Sequence, residues 1–246
     1  MRGWNLIVIS LCVGCAKTGA VQPLQTVLPE VNAIEPIVLP TAAKAAQTLR
    51  GQGLAYRNTG DFDGAISTLR QSLALDPTQL STYVILGWTL HLHNQRPEAA
   101  TVLETALALD PNHVPALNAL GIVYLVSGEL DQAVATHTRA AELKPDNEIA
   151  YYNLSLAYER RQDYDQAIAM AARATALEPH NPHPWVALAL AHWRNRDTPA
   201  AITAYRQAIN LDGRYRNAGF LAHLTQAGFS VDQIDRVETL LNNLQL

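Results

Sequence analysis

Apolar residues recur at helical spacing in the stretch Val114–Asn147, and this stretch shows the pattern that dominates the chain. The i, i+3, i+4, i+7 spacing of an amphipathic helix is occupied by Leu117, Leu120, Gly121 and Tyr124. Gly128 then interrupts the pattern, because glycine accepts the left-handed conformation that ends many helices. A second helical run ends before Pro145 and carries Leu130, Ala133, Val134, Ala140 and Leu143. The pattern predicts a helical hairpin, which needs neighbouring copies to bury its apolar face.

Such copies follow one another with a period of 34 residues, in the blocks 46–79, 80–113, 114–147, 148–181 and 182–215. The eighth position is small (Gly53, Gly87, Gly121, Ser155, Ala189), and the twentieth is always alanine (Ala65, Ala99, Ala133, Ala167, Ala201). The twenty-seventh is also small (Ser72, Ala106, Ala140, Ala174, Ala208), and the thirtieth is leucine (Leu75, Leu109, Leu143, Leu177, Leu211). Proline holds the thirty-second position in four blocks (Pro77, Pro111, Pro145, Pro179), and Gly213 holds it in the fifth. Small residues at these positions predict a close approach of the two helices, with bulky residues such as Leu154 and Tyr158 filling the space between them.

The period and these five positions resemble the tetratricopeptide repeat over about 170 residues. The resemblance implies an all-α fold, a right-handed solenoid of five helix-turn-helix repeats within residues 41–215. We expect the first helix to begin near Thr41. Residues 216–246 do not continue the period and are predicted to form C-terminal capping helices, one ending at Gly228 and one capped by Ser230.

The N-terminus predicts an export signal. A short positive start precedes an uncharged apolar stretch that is shorter than the roughly 20 residues of a membrane-spanning helix. Residues 11–16 resemble a bacterial lipobox, which implies lipid attachment at Cys15 and a leader of residues 1–15; the position three before Cys15 holds Cys12 where the motif usually has an aliphatic residue. An ordinary signal peptide and a short uncleaved anchor are the alternatives.

Residues 16–40 are predicted to form a tether, because their four prolines oppose a continuous helix. The tether is apolar for a linker, with Val27, Leu28, Val31, Ile34 and residues 37–39. One interpretation is local packing onto the first helix. A second hypothesis is that residues 24–40 fold back over part of the repeat surface, where tethering gives them a high effective concentration.

Composition and motifs favour a non-catalytic protein. The formal charge of −4 gives no indication of nucleic-acid binding, and both cysteines lie within the first fifteen residues. No phosphate-binding loop, zinc-binding motif or nucleophile elbow is present, so we expect no catalytic residues, no metal and no cofactor. The eight histidines do not suggest a metal site, and His137 lies at a core position where a hydrogen-bonded neutral histidine is expected.

The resemblance implies a binding surface, because the first helices of successive repeats line a concave groove in this family. The corresponding positions hold Arg50, Leu54, Arg57, Val84, Trp88, His91, Asn118, Ile122, Leu125, Val126, Tyr152, Leu156, Arg160, Val186, Leu190, Trp193 and Arg194. The Lys/Asn/Arg clamp of chaperone-binding members is absent, since Leu54, Trp88 and Ile122 occupy one of its columns. The predicted ligand is therefore an apolar or amphipathic protein segment with some acidic residues, bound beside aromatic anchors. The alternative is that a neighbouring repeat or the chain's own tail covers part of this surface.

These expectations combine into a membrane-tethered scaffold that assists assembly of a bacterial envelope complex, with a protein partner, no nucleic acid and membrane association through the N-terminus. The alternative is an anchored repeat protein that faces the cytoplasm and aids assembly of photosynthetic or other membrane complexes. An enzyme is the third class of function, but the sequence offers no nucleophile–base pair for it.

Overall fold

A computed structural model describes residues 40–243. The leader, Cys15 and most of the tether therefore lie outside the described residues. Eleven α-helices follow one another: α1 Pro40–Asn58, α2 Phe62–Leu75, α3 Leu80–Leu92, α4 Arg96–Leu109, α5 Val114–Ser127, α6 Leu130–Leu143, α7 Glu148–Arg160, α8 Tyr164–Leu177, α9 Pro182–Arg194, α10 Thr198–Leu211 and α11 Val231–Asn243. Two 3₁₀ helices, Gly213–Arg216 and Ala218–Ala227, lie between α10 and α11.

The all-α solenoid is confirmed: between residues 40 and 243 there is no strand, and α1 to α10 form five consecutive hairpins. Each hairpin packs on the next. The odd-numbered helices also contact one another from repeat to repeat, whereas the even-numbered helices scarcely do. The odd-numbered helices are therefore on the inner side of the curvature, and are called the inner helices below. None of the helices in residues 40–243 combines the length and apolar character needed to cross a bilayer.

Small residues bring the two helices of each hairpin together, as the repeat pattern predicts. The alanines at the twentieth position are all fully buried. A Cβ atom placed on Gly87 would lie 2.6 Å from Cγ of Leu103, and one on Gly53 would lie 2.7 Å from Cγ of Leu69. These distances are too short for a Cβ atom unless the leucine moves, so glycine is favoured at these two positions.

The turn within each hairpin needs a residue with positive φ. This residue recurs every 34 positions, as Gly60, Asn94, Gly128, Gln162 and Arg196, with φ between 60° and 87°. Only two of the five are glycines, although glycine adopts this conformation with the least strain. All five hairpins therefore have the same left-handed turn, although the residue type at this position varies.

Side-chain caps stabilise the helix ends. Asp61, Asp163 and Asp197 accept hydrogen bonds from the first turns of α2, α8 and α10. Between repeats, Asp76 Oδ1 accepts from Thr78 N at 3.2 Å, and Asp110 accepts from the second residue after it in the same way. These two acidic residues stabilise the turns between repeats.

The chain after α10 forms two 3₁₀ helices and then α11. Residues 218–227 form a 3₁₀ helix, because Ala218, Leu221, Leu224 and Ala227 repeat every three residues and face the interior together. Gly228 then turns the chain with φ 87°. Ser230 caps α11 as predicted: its Oγ accepts from Gln233 N at 3.3 Å, while Gln233 Oε1 accepts from Ser230 N at 3.0 Å.

Candidate functional site

The inner surface of the solenoid has an open part and a covered part. The residues from Gly213 to Asn243, here called the C-terminal segment, pack against α7 and α9 and reach back to α5. Four of the residues predicted to line an exposed groove are consequently buried, with exposures of 0% for Leu125, 1% for Leu156, and 0% for Val186 and Leu190. The chain's own tail, which was the alternative interpretation, is what lies on them.

The turn between the second 3₁₀ helix and α11 makes the closest contact with the inner helices. Tyr152 donates its hydroxyl hydrogen bond to the carbonyl oxygen of Ala227 at 2.6 Å. The ring of the buried Phe229 has its centroid 6.3 Å from that of the Tyr152 ring, and Gly228 lies against Leu156 and Leu125. Burial raises the pKa of the Tyr152 phenol well above its ordinary value, so the phenol remains a donor at any physiological pH.

A buried carboxylate fixes α11 to α7 and α9. Glu159 is only 4% exposed; its Oε2 accepts from Gln233 Nε2 at 2.8 Å and its Oε1 accepts from Arg194 Nε at 3.1 Å. Arg194 also donates to the Tyr164 hydroxyl at 2.6 Å. Burial raises the pKa of Glu159, while the bonds from Gln233 and Arg194 oppose that effect. The charge is thus compensated inside the chain.

The arginines expected to attract an acidic ligand are partly engaged within the protein. Arg160 hydrogen-bonds the Leu125 carbonyl oxygen, and Arg194 pairs with Glu159 as described. Arg50 donates to Ser81 Oγ at 3.2 Å, and Arg57 is half-buried. The expectation of acidic residues in a partner therefore loses the support of Arg160 and Arg194.

The open part of the inner surface is largely apolar. Trp88 and His91 stack with ring centroids 5.0 Å apart, and burial lowers the pKa of His91, which keeps its ring neutral. The remaining predicted groove residues are all half-buried: Leu54, Val84, Asn118, Ile122, Val126 and Trp193. Asn118 exchanges two hydrogen bonds with Asn147, and Trp193 packs against the core under the C-terminal segment.

A pocket of about 250 Å³ lies where the open and covered parts meet. Its walls come from α3, α5, α7, the start of α9 and the C-terminal turn, with Trp88, Ile122 and Tyr152 among them. The predicted groove residues include these three but not Glu148, Asn153, Glu178, Pro184 or Gln226–Gly228, which also line the pocket. No repeat pattern could identify the C-terminal turn, because it lies outside the period.

Histidines and acidic residues do not assemble into a catalytic or metal-binding arrangement in the part of the chain that the structure describes. No group of three or more His, Cys, Asp or Glu side chains there is placed to hold a metal ion. His137 is fully buried, and neither ring nitrogen has a hydrogen-bond partner of good geometry; the backbone of Gly121 lies close to the ring but makes only a weak polar contact with it. Burial lowers its pKa to about 3, against a smaller opposing effect of the Gly121 backbone, so the ring is neutral.

Comparison with known families and structures agrees with this architecture. Family models described as tetratricopeptide repeat match residues 48–81, 90–158 and 152–218, which together are more than half of the chain. No curated protein matches the chain.

Solved structures with the same fold include several of a protein called MamA. A crystal structure of MamA is 24% identical, with a TM-score of 0.61, and covers 70% of this chain and 93% of its own. A second is 26% identical, with a TM-score of 0.60, and covers 66% of this chain and 95% of its own. MamA from Desulfovibrio magneticus RS-1, from residue 41 to its end, is 22% identical, with a TM-score of 0.63, and covers 68% and 95%. At these identities the likeness shows the fold.

Proposed function

Because the chain belongs to the tetratricopeptide repeat family, we propose that it is a non-catalytic scaffold that binds an apolar or amphipathic segment of a partner protein on the open part of its inner surface. Repeats of this family serve protein–protein interaction.

The main support is the apolar character of the surface that the C-terminal segment leaves open. Leu54, Val84, Trp88 and Ile122 are half-buried on three successive inner helices, and Ile149 on the next is 41% exposed. A concave apolar surface with an aromatic anchor is the kind of site where a few side chains provide most of the binding free energy. We therefore place the binding site on α1, α3 and α5 and the first turn of α7, away from the covered residues.

Site-specific photocrosslinking tests this location. A photoreactive phenylalanine analogue replaces Trp88 in one form of the full chain, and Leu109 in a control form. Leu109 is 51% exposed on the outer helix α4, so it presents an apolar side chain outside the proposed site. The proposal requires a protein adduct from membranes with the analogue at position 88 and none at position 109. Equal adducts at both positions, or an adduct only at position 109, contradict it.

Affinity measurements with the crosslinked partner provide a second test of the location of the site. Trp88→Ala combined with Ile122→Ala removes two half-buried apolar side chains, and we expect binding to weaken by about 2–4 kcal/mol. Leu109→Ala serves as the matched control and leaves affinity within about 0.5 kcal/mol. A partner that binds the double variant as tightly as the wild type would place the site elsewhere on the protein.

We further propose that the repeats are tethered to a bacterial envelope membrane through a lipid on Cys15, and that the scaffold assists assembly of an envelope complex. The lipobox-like residues 11–16 support the tether. Metabolic labelling with a fatty acid should mark the wild type and not Cys15→Ser. An unlabelled protein whose N-terminal residues are intact by mass spectrometry would favour the uncleaved anchor and repeats that face the cytoplasm.

A further inference from the structure

The pocket beside Trp88 is formed by two parts of the chain, the repeats and the C-terminal segment. Trp88, Ile122 and Tyr152 come from three successive repeats, and the opposite wall is the turn Gln226–Gly228 of the C-terminal segment. The bond from the Tyr152 hydroxyl to Ala227 O fixes that wall to the repeats. A groove of repeats alone would be open at this point, whereas here it ends in a pocket with a defined shape.

The size of the pocket restricts what it can hold. Pockets for drug-sized molecules have volumes of about 300–1,000 Å³. The volume here is about 250 Å³, and the walls are mainly apolar. This is enough for one bulky apolar side chain of a partner, with its backbone passing across the open groove.

The charged atoms at the pocket are carboxylate oxygens, which accept hydrogen bonds, while Asn181 and Gln226 add neutral amide groups. Glu148 and Glu178 contribute carboxylates, and within residues 40–243 neither forms an ion pair. Glu178 Oε2 accepts one hydrogen bond, from Asn181 Nδ2 at 2.9 Å, which leaves its negative charge uncompensated. Asn153 uses its Nδ2 to donate to Ile149 O at 2.9 Å, and among the described residues nothing donates to its Oδ1, which lies beside Gly228. No lysine or arginine lines the pocket. Its electrostatic complement is therefore a cation that carries hydrogen-bond donors.

We propose that this pocket takes a bulky apolar side chain of a partner protein that has lysine or arginine next to it in sequence. The apolar side chain contacts Trp88, Ile122 and Tyr152, and the cation lies between the carboxylates of Glu148 and Glu178. This specificity rests on the proposed function, and it differs from the sequence-based expectation of acidic residues in the ligand.

The chain's own tether is a poor occupant of the pocket. Residues 24–40 are apolar enough, but they contain Glu30 and Glu35 and no lysine or arginine. Their carboxylates would approach those of Glu148 and Glu178, and like charges brought together at an interface oppose binding. The tether and a basic apolar partner can thus be separated by charge alone.

Selection from a displayed library of random peptides, each about twelve residues long, tests the proposal with the purified full chain in detergent. We expect enriched peptides to combine a bulky apolar residue with lysine or arginine within two positions. An enriched peptide should bind Glu148→Lys plus Glu178→Lys about tenfold more weakly than the wild type. Raising NaCl from about 50 to about 500 mM should weaken wild-type binding severalfold and have little effect on this variant.

The control is Glu142→Lys plus Asp165→Lys, which changes the net charge equally on two outer helices. It should bind the enriched peptide like the wild type, and circular dichroism verifies that both variants are folded. Enriched peptides with acidic neighbours, binding that is unchanged by the Glu148/Glu178 reversal, or displacement by a synthetic peptide of residues 24–40 would overturn the specificity. If such peptides still need Trp88, the proposed function stands. A library without binders, or binding unaffected by Trp88→Ala, overturns both.

Discussion

Replacing His137 by leucine should stabilise the protein, and the gain should grow as the pH falls. His137 occupies a position that is Leu69 and Leu103 in the two preceding repeats, where each leucine is fully buried. The histidine ring lies against Gly121 just as those leucines lie against their glycines. The space thus accommodates an apolar side chain of similar size, while the ring introduces two nitrogens that have no hydrogen-bond partner.

At neutral pH the expected gain comes from removing buried unsatisfied polar atoms. Leaving one such group without a partner costs about 1–3 kcal/mol. We therefore expect His137→Leu to raise the free energy of unfolding by about 1–3 kcal/mol at pH 7.5, after allowing for imperfect packing of the new side chain.

Acidification should enlarge the difference, because the folded-state pKa of His137 is about 3, below the ordinary histidine value. The unfolded chain then takes up the proton first, so wild-type stability is complete above about pH 6.5 and is lost as the pH falls towards 3. At pH 5 the loss from this residue is about 2 kcal/mol, at 1.36 kcal/mol for each pH unit below 6.5. The leucine variant does not have this loss.

Urea denaturation followed by circular dichroism at pH 7.5 and 5.0 measures both effects. Hydrogen exchange of α5 and α6 gives the local value if the repeats do not unfold together. His180→Gln is the control, since His180 is exposed in a turn and its replacement should alter neither value. A stability difference between wild type and His137→Leu that is the same at both pH values would show that the buried ring does not remain neutral, and would refute the reasoning.

Three further predictions concern packing, backbone and the C-terminal segment. Gly87→Ala should lower the free energy of unfolding by about 1–3 kcal/mol, because its Cβ atom would overlap Leu103 of the outer helix. Gly51→Ala has open space around it and should raise the free energy of unfolding by about 0.5–1 kcal/mol. Urea midpoints that move in the same direction for both variants would contradict this. Gln162→Gly and Arg196→Gly should each stabilise by about 1 kcal/mol, since both residues have φ 64°, and a lower melting temperature would count against strain at these turns. Gln233→Leu removes a hydrogen-bond donor from the buried carboxylate of Glu159, so the protein should lose about 1–3 kcal/mol of stability and the amide hydrogens of α11 should exchange faster. Unchanged exchange would mean that this hydrogen bond does not hold the C-terminal segment in place.

The repeat positions allowed most of the fold to be predicted, because close packing leaves few choices at them. A Cβ atom at position 53 or 87 would overlap a leucine of the outer helix, and the fully buried alanines at the twentieth position are tightly surrounded. The left-handed turn is equally regular in the backbone, but three of its five positions are Asn94, Gln162 and Arg196, so glycine does not mark the turn in the sequence. The moderate backbone strain of a non-glycine residue with positive φ is offset by packing elsewhere in the repeat, so glycine is not needed at this position.

The site was less predictable, because it depends on residues outside the period. The inner positions correctly point to a surface formed by the odd-numbered helices, but they do not show that Leu125 and Leu156 are covered. That depends on where the chain goes after α10, and the three-residue spacing of Leu221 and Leu224 is the only local indication of its course. Whether the predicted residues bind a peptide remains a prediction.

The contacts of the C-terminal segment fix the number of repeats between the third repeat and the end of the array. In an open array a hairpin is exchangeable, and adding or deleting one changes only the length. Here Gly228 lies against Leu125 of the third repeat and Gln233 against Leu156 of the fourth, while the segment itself starts from the end of the fifth. Removing or duplicating a hairpin in that interval would shift one side of these contacts by a whole repeat relative to the other. Insertions and deletions of repeats should therefore be tolerated near α1 to α4 and rejected between α5 and α10, so that part of a modular architecture has become a unit of fixed size.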